Sequence, residues 1–252
     1  MFIGTTLSGN MDLVYSFLGL RFPENNSFGF WQIITHMFMH GGSMHILVNM
    51  FTLWMFGIQI ERVLGSKRFL FFYISCGLGA AIIQIIYMYY SFYSNVDILM
   101  FNNIPYEDVV HILQETGRTC YETISGKEYC KYSSNFSDID GLFKGNNISL
   151  DILWDTVNSL MVGASGAIMG VLVAFGMFFP ENKLMLMFFP VPIKAKYFIP
   201  GIILLDLISA TTGVSIFSPS NTAYVAHLGG ALTGFLIMYY WRINQFNSNR
   251  WN

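Results

Sequence analysis

Ser165 stands in the run Gly163-Ala164-Ser165-Gly166-Ala167, and His227 in Ala226-His227-Leu228-Gly229-Gly230. A hydroxyl beside an imidazole is a nucleophile with its general base, the pair that opens acyl transfer. Neither residue makes that case by itself. A serine in an apolar helix usually bonds back to a carbonyl one turn earlier or packs as a small residue, and a short glycine-serine run is a weak motif. A histidine inside an apolar span is costly and functional by default, its plain alternative being a packing bond to a carbonyl. Glycine spacing connects the two. Gly166 and Gly170 form a small-xxx-small pair beside Ser165, and Gly230 and Gly234 form another beside His227. Such stripes let two helix backbones approach closely, and where they meet, Ser165 and His227 come to similar depth.

His45 and Asn49 lie four residues apart, hence on one helix face. Acyl transfer develops negative charge on a carbonyl oxygen, and neutral His and Asn donors stabilise it; as structural residues they would be hydrogen-bonding glue between helices. His36 and His40 repeat that spacing just before Gly41-Gly42. The histidines also open a reading of another class, a metal-binding membrane protein or transporter, since His36, His40 and His45 offer three nitrogens of the kind zinc takes. Against it, the sequence has no HExxH arrangement or flanking carboxylate to act as base and outer-shell partner, and no visible inverted repeat. The expectation is therefore no metal and no cofactor. Asp206 is ionisable and lies in an apolar run, where a carboxylate is functional by default. With a serine and a histidine already paired, it is expected to make a structural hydrogen bond or to lie near an interface, outside the catalytic set.

These residues need an apolar scaffold, and the composition supplies one. The 252 residues are 54% apolar, 17% aromatic and 11% charged, whereas a soluble domain carries about 25% charged residues. A bilayer core takes about 20 apolar residues at helical rise. Residues 69–90, 157–179, 197–217 and 223–241 qualify as spans, and 44–60 qualifies if it extends to 63. Residues 1–20 hold Gly4, Thr5, Thr6, Ser8, Gly9, Asn10 and Asp12 and make no spanning helix. The fold class expected is all-α: a polytopic membrane helix bundle, one domain over 1–252, with a polar acidic insertion at 91–156. Within the insertion, Pro105 before Tyr106-Glu107-Asp108, then Val109, Val110, Ile112 and Leu113, and Gly117 after them, mark a short amphipathic helix on the membrane surface or over the domain. Residues 133–147 read as loop. Asn25, Asn135 and Asn147 fit the glycosylation pattern.

Charge distribution sets the orientation. Arg62, Lys67, Arg68, Lys183, Lys194, Lys196, Arg242 and Arg250 fall in short connections or the tail, and the positive-inside rule makes that side cytoplasmic. The insertion then lies on the extracytoplasmic side, where an oxidising compartment permits Cys120 and Cys130 to form a disulfide; Cys76, inside a span, reads as a packing residue. The net charge of −2 and the lack of a basic cluster exclude a nucleic-acid partner. The N-terminus has no signal-peptide pattern, so the spans themselves would target the chain to the bilayer.

Taken in order, Phe30-Trp31-Gln32-Ile33-Ile34-Thr35-His36-Met37-Phe38-Met39-His40, His45-Ile46-Leu47-Val48-Asn49, Glu61-Arg62-Val63-Leu64-Gly65-Ser66, the Gly163 to Ala167 run and Ala226-His227-Leu228-Gly229-Gly230 resemble the rhomboid family of intramembrane serine proteases, with the 178–196 stretch similar to a bacterial branch. The resemblance implies a Ser165–His227 dyad with no acidic third member. It further implies an oxyanion hole from His45, Asn49 and the Ser165 N–H, and a structural role for Glu61 and Gly65 at the cytoplasmic turn. Residues 31–40 would be a re-entrant part of the first loop, and 218–224 a cap over the site. Substrates would be membrane-spanning segments of other proteins, cleaved near the extracytoplasmic face of a bacterial cytoplasmic membrane. The family core has six helices, so its first is missing or truncated here, and the insertion falls between the third and fourth. An inactive, pseudoprotease form is the alternative that this departure raises. Met169 stands where the family often carries an aromatic.

Overall fold

In hydrocarbon a backbone must satisfy its own hydrogen bonds, so apolar runs of this length become helices. The computed structural model describes residues 11–99, 106–115, 117–122, 128–133, 147–186, 189–212 and 224–245. Its helices in chain order are α1 (Met11–Leu18), α2 (Gln32–Thr35), α3 (Ser43–Leu64), α4 (Ser66–Leu99), α5 (Tyr106–Glu115), α6 (Asn147–Asn158), α7 (Ser165–Phe178), α8 (Ala195–Thr212) and α9 (Tyr224–Gln245). Two small antiparallel hairpins accompany them, β1 (Gly117–Glu122) with β2 (Glu128–Ser133) and β3 (Lys183–Leu186) with β4 (Phe189–Lys194). A wide turn at Leu53–Gly57 interrupts the regular winding of α3.

Among the described residues α3, α4 and α8 are long and apolar enough to cross a bilayer. Their outer faces carry exposed Leu47, Phe51, Trp54, Leu70, Phe71, Leu204 and Leu207, a surface that water would disfavour and lipid accepts. The expected span at 157–179 is corrected. Asn158 ends α6, the chain is irregular through 159–164, and α7 starts only at Ser165. Hydropathy sees one apolar run there, whereas the backbone leaves the helix to pair Leu20 with Met161 and passes through Gly163 at φ +128°. α4 runs on to Leu99, past the polarity break expected at 91, because helix continuation depends on backbone bonding rather than on hydropathy.

The described residues fall into two compact units. One comprises Met11, Ile33–Gln84 and the described residues from Val162 onward, and the other Asp12–Gln32 and the described residues of Ile85–Met161. The first is built around α7, whose residues from Gly166 to Phe175 are all buried, with Phe56, Ile60, Phe72, Cys76 and Ile199 packed about it. Cys76 is fully buried, as a packing residue should be.

The second unit has its own core of Phe22, Met88, Phe92, Val96, Leu153 and Val157. The amphipathic helix expected after Pro105 is α5; Val109, Val110, Ile112 and Leu113 are buried in this core rather than spread on a membrane. Gln32, wholly buried, holds the loop before it by donating Nε2 to the Ser27 carbonyl at 2.8 Å and accepting the Arg21 N–H at 3.2 Å. Trp31 donates its indole N–H to the Phe17 carbonyl at 2.7 Å. Asn25 is buried and donates to the Val157 carbonyl at 2.8 Å, so the glycosylation reading of that residue is corrected. Asn135 lies outside the described residues, as do 134–146 of the expected loop; Ser133 ends β2 and Asn147 begins α6. The ladder sets Cys120 opposite Cys130.

Candidate active site

Helices α7 and α9 meet along their glycines. A methyl on Gly230 would overlap the Gly166 carbonyl, and one on Gly234 would lie 2.7 Å from Gly170 Cα and 2.9 Å from its carbonyl oxygen. Only glycine permits backbone contact of this kind. The contact sets the relative depth of the two helices. Ser165, first residue of α7, and His227, in the first turn of α9, then face each other with Oγ 2.8 Å from Nε2.

The other imidazole nitrogen is also engaged. His227 Nδ1 lies 3.0 Å from Asp206 Oδ2 of α8, and the two side chains are only 14% and 13% exposed. The sequence reading left Asp206 with either a structural hydrogen bond or a place near an interface, and named no partner; the structure gives it the bond to His227. The signal for that partner was faint: a carboxylate in an apolar run needs one, but Lys196 is nearer along the chain than His227, and no spacing rule selects the histidine.

His45 and Asn49 converge on Gly163, two residues before the serine. A side chain at Gly163 would place its Cβ 2.8 Å from His45 Nε2 and 3.7 Å from Asn49 Nδ2. Gly163 is held there by its own N–H, which donates to the His36 carbonyl at 2.9 Å. The Gly41 N–H donates to His45 Nδ1 over a long 3.4 Å. A ring nitrogen that accepts leaves the other as the N–H, so His45 Nε2 is the donor turned toward Gly163. Asn49 is 6% exposed, and its Nδ2 is a buried donor with no acceptor among the described residues. Such a donor costs about 1–3 kcal/mol while it is unmatched.

His36 and His40 are buried, and His40 packs edge-on against His45 with ring centroids 5.2 Å apart. Among the described residues no three His, Cys, Asp or Glu side chains come together as a metal site; His36, His40 and His45 do not form the three-nitrogen set considered from the sequence. Glu61 accepts from Ser66 Oγ at 2.7 Å, and its carbonyl accepts the Gly65 N–H at 2.7 Å, where Gly65 turns the chain from α3 to α4 at φ +79°. The expected cap at 218–224 lies outside the described residues except for Tyr224.

Fold and site define a class: a helical membrane protein in which glycine-lined helices set a serine hydroxyl against an imidazole beside two further neutral donors. The profile of the Rhomboid domain family matches residues 27–95 and 142–243, more than half of the sequence, and the chain belongs to the rhomboid family. It is 26% identical over 213 residues to the rhomboid protease AarA of Providencia stuartii, covering 82% of this chain and 54% of that protein. Shorter matches include the rhomboid protease GluP of Bacillus subtilis, 33% identical over 60 residues and covering 24% of this chain and 12% of that protein. RHOMBOID-like protein 6, mitochondrial, of Arabidopsis thaliana is 34% identical over 58 residues, covering 23% and 19% respectively. The chain thus spans about half or less of the length of these curated relatives.

Proposed function

We propose that this chain is an intramembrane serine endopeptidase that cuts membrane-spanning segments of other proteins. The observation that carries the reading is the 2.8 Å approach of Ser165 Oγ to His227 Nε2. Ser165 Oγ attacks the scissile carbonyl carbon as its proton passes to His227 Nε2. The tetrahedral intermediate collapses, the C–N bond breaks, and the same proton goes to the departing amine. Water then attacks the Ser165 ester as its proton passes to His227 Nε2, the C–Oγ bond breaks, and that proton returns to Ser165 Oγ as the acid product leaves. His45 Nε2–H and Asn49 Nδ2, with the Ser165 N–H at the open end of α7, stabilise the oxyanion. One such donor is worth about 10²–10³ in kcat.

Helix length supports an intramembrane site. The 14 residues of α7 rise about 21 Å, less than the ~30 Å hydrocarbon core, so a helix reaching one face with Phe178 holds Ser165 below the other. The short, basic connections favour a cytoplasmic Phe178 end, which opens the site extracytoplasmically. The long alignment to a bacterial relative favours a bacterial cytoplasmic membrane.

The test is cleavage of a single-span reporter in liposomes by the wild type, Ser165→Ala and His227→Ala. Both variants should be inactive while folded. Cleavage that persists in either removes the dyad, and an inert wild type with an intact fold favours the pseudoprotease alternative.

A further inference from the structure

We propose that Asp206 is a positioning residue for His227, extending the serine–histidine pair to a three-membered chain of hydrogen bonds; the proposal rests on the functional reading above. The imidazole is held from both sides, by Ser165 Oγ at Nε2 and by Asp206 Oδ2 at Nδ1. A carboxylate only accepts, so its bond to Nδ1 requires the N–H on that nitrogen and leaves the lone pair on Nε2. That tautomer is the one able to take the serine proton. The opposite tautomer would donate from Nε2 to Oγ and could not act as the base.

Charge gives the same assignment. When Nε2 takes the serine proton the ring becomes a cation, and Asp206 meets it at 3.0 Å in a site where both groups are largely shielded from solvent. The carboxylate keeps its charge and takes no proton; the proton gained at Nε2 leaves with the amine. The placement is otherwise unfavourable. Asp206 is the one acidic residue of α8, in a helix apolar enough to cross a bilayer, where an unpaired carboxylate is costly. Among the described residues its hydrogen-bond partner is His227. α8 and α9 pack together, so the bond also sets the ring's rotation about the axis through Ser165.

A bond that merely tied α8 to α9 would show the same geometry, so the test must separate positioning from folding. In liposomes, kcat, KM, the unfolding midpoint and the rate at which a fluorophosphonate labels Ser165 are measured for Asp206→Asn and Asp206→Leu. Asn keeps the size and removes the charge; Leu leaves no polar group in the apolar span, which protects the fold. Expected are a fall in kcat of on the order of 10²-fold or more with KM unchanged, labelling slowed in parallel, and part of the rate returned by Asp206→Glu. Wild-type kcat in folded Asn or Leu variants overturns the proposal, as does a deficit that vanishes when rates are normalised to folded protein. If Ser165→Ala and His227→Ala are dead while Asp206→Asn is unimpaired, the third member falls and the dyad stands. If Ser165→Ala still cleaves, both fall.

Discussion

Adding one methyl at the glycine seam tests the geometry from which the site follows. An alanine at Gly234 would put Cβ 2.7 Å from Gly170 Cα, where ordinary contact begins at 3.4 Å, and the atoms it meets are backbone, which cannot rotate away. The helices must part by the difference, about 0.7 Å. Carried without rotation to the other end of the seam, that shift stretches the 2.8 Å Ser165–His227 bond to about 3.5 Å, beyond a useful hydrogen bond. Gly230→Ala is more severe, because its methyl overlaps the Gly166 carbonyl beside the nucleophile. Two energies compete. Replacing a helical glycine by alanine gains up to about 1 kcal/mol in propensity, while overpacking costs roughly 1–3 kcal/mol, so net destabilisation is expected at both positions. Misplacing the reacting groups by this much lowers cleavage by on the order of 10²-fold. Gly201 of α8 is the control, since nothing lies within 4 Å of a methyl built there. Gly201→Ala should be neutral or stabilising. The assay is thermal unfolding together with liposome cleavage. A Gly230→Ala protein as stable and active as the Gly201→Ala control would refute close contact of α7 and α9.

Asn49→Ala should lower kcat by about 10²–10³ without loss of stability, because the buried Nδ2 has no acceptor among the described residues to lose; kinetics and unfolding midpoints check both parts. Gly163→Ala combines a positive φ with crowding of His45 Nε2, and is expected to abolish fluorophosphonate labelling of Ser165. Hydrogen bonds from Lys194 first and Lys196 second hold the Glu181 carboxyl down to about 2. That depressed value means the pairing contributes at any pH above the ordinary carboxylate range and is lost as pH falls through about 2. Titration followed by carboxyl carbon resonance should show it, although solvent exposure keeps the effect of Glu181→Gln on stability small. Directly opposed residues of an antiparallel ladder lie about 4.5–5.5 Å apart at Cα, within the roughly 4.4–6.8 Å of a disulfide. Since the register opposes Cys120 and Cys130, non-reducing mass analysis of the peptide should find it lighter by two thiol hydrogens; two alkylated thiols would end that expectation.

Much of the fold was legible because its signals are local. Apolar run lengths located α3, α4 and α8, the Pro105 start and Gly117 stop framed α5, and the paired small residues marked the faces on which α7 and α9 touch. Serine, two histidines and an asparagine made a candidate chemistry readable for the same reason, since side-chain type and the helical spacing of His45 and Asn49 are written along the chain. The start of α7 was not legible. Hydropathy averages over a window and passes smoothly across 157–179, whereas one glycine with a positive φ and the pairing of Met161 with Leu20 break the helix. The partner of Asp206 was beyond the sequence as well. Whether a carboxylate of α8 meets an imidazole of α9, 21 residues away, depends on the rotation and depth of one helix against the other, and many contacts at once set these. Side-chain types and their order along the chain give a membrane helix bundle, with Ser165 and His227 as its candidate pair. Packing alone brings the Asp206 carboxylate to the His227 ring, because that bond is a property of how two helices meet and of neither helix alone.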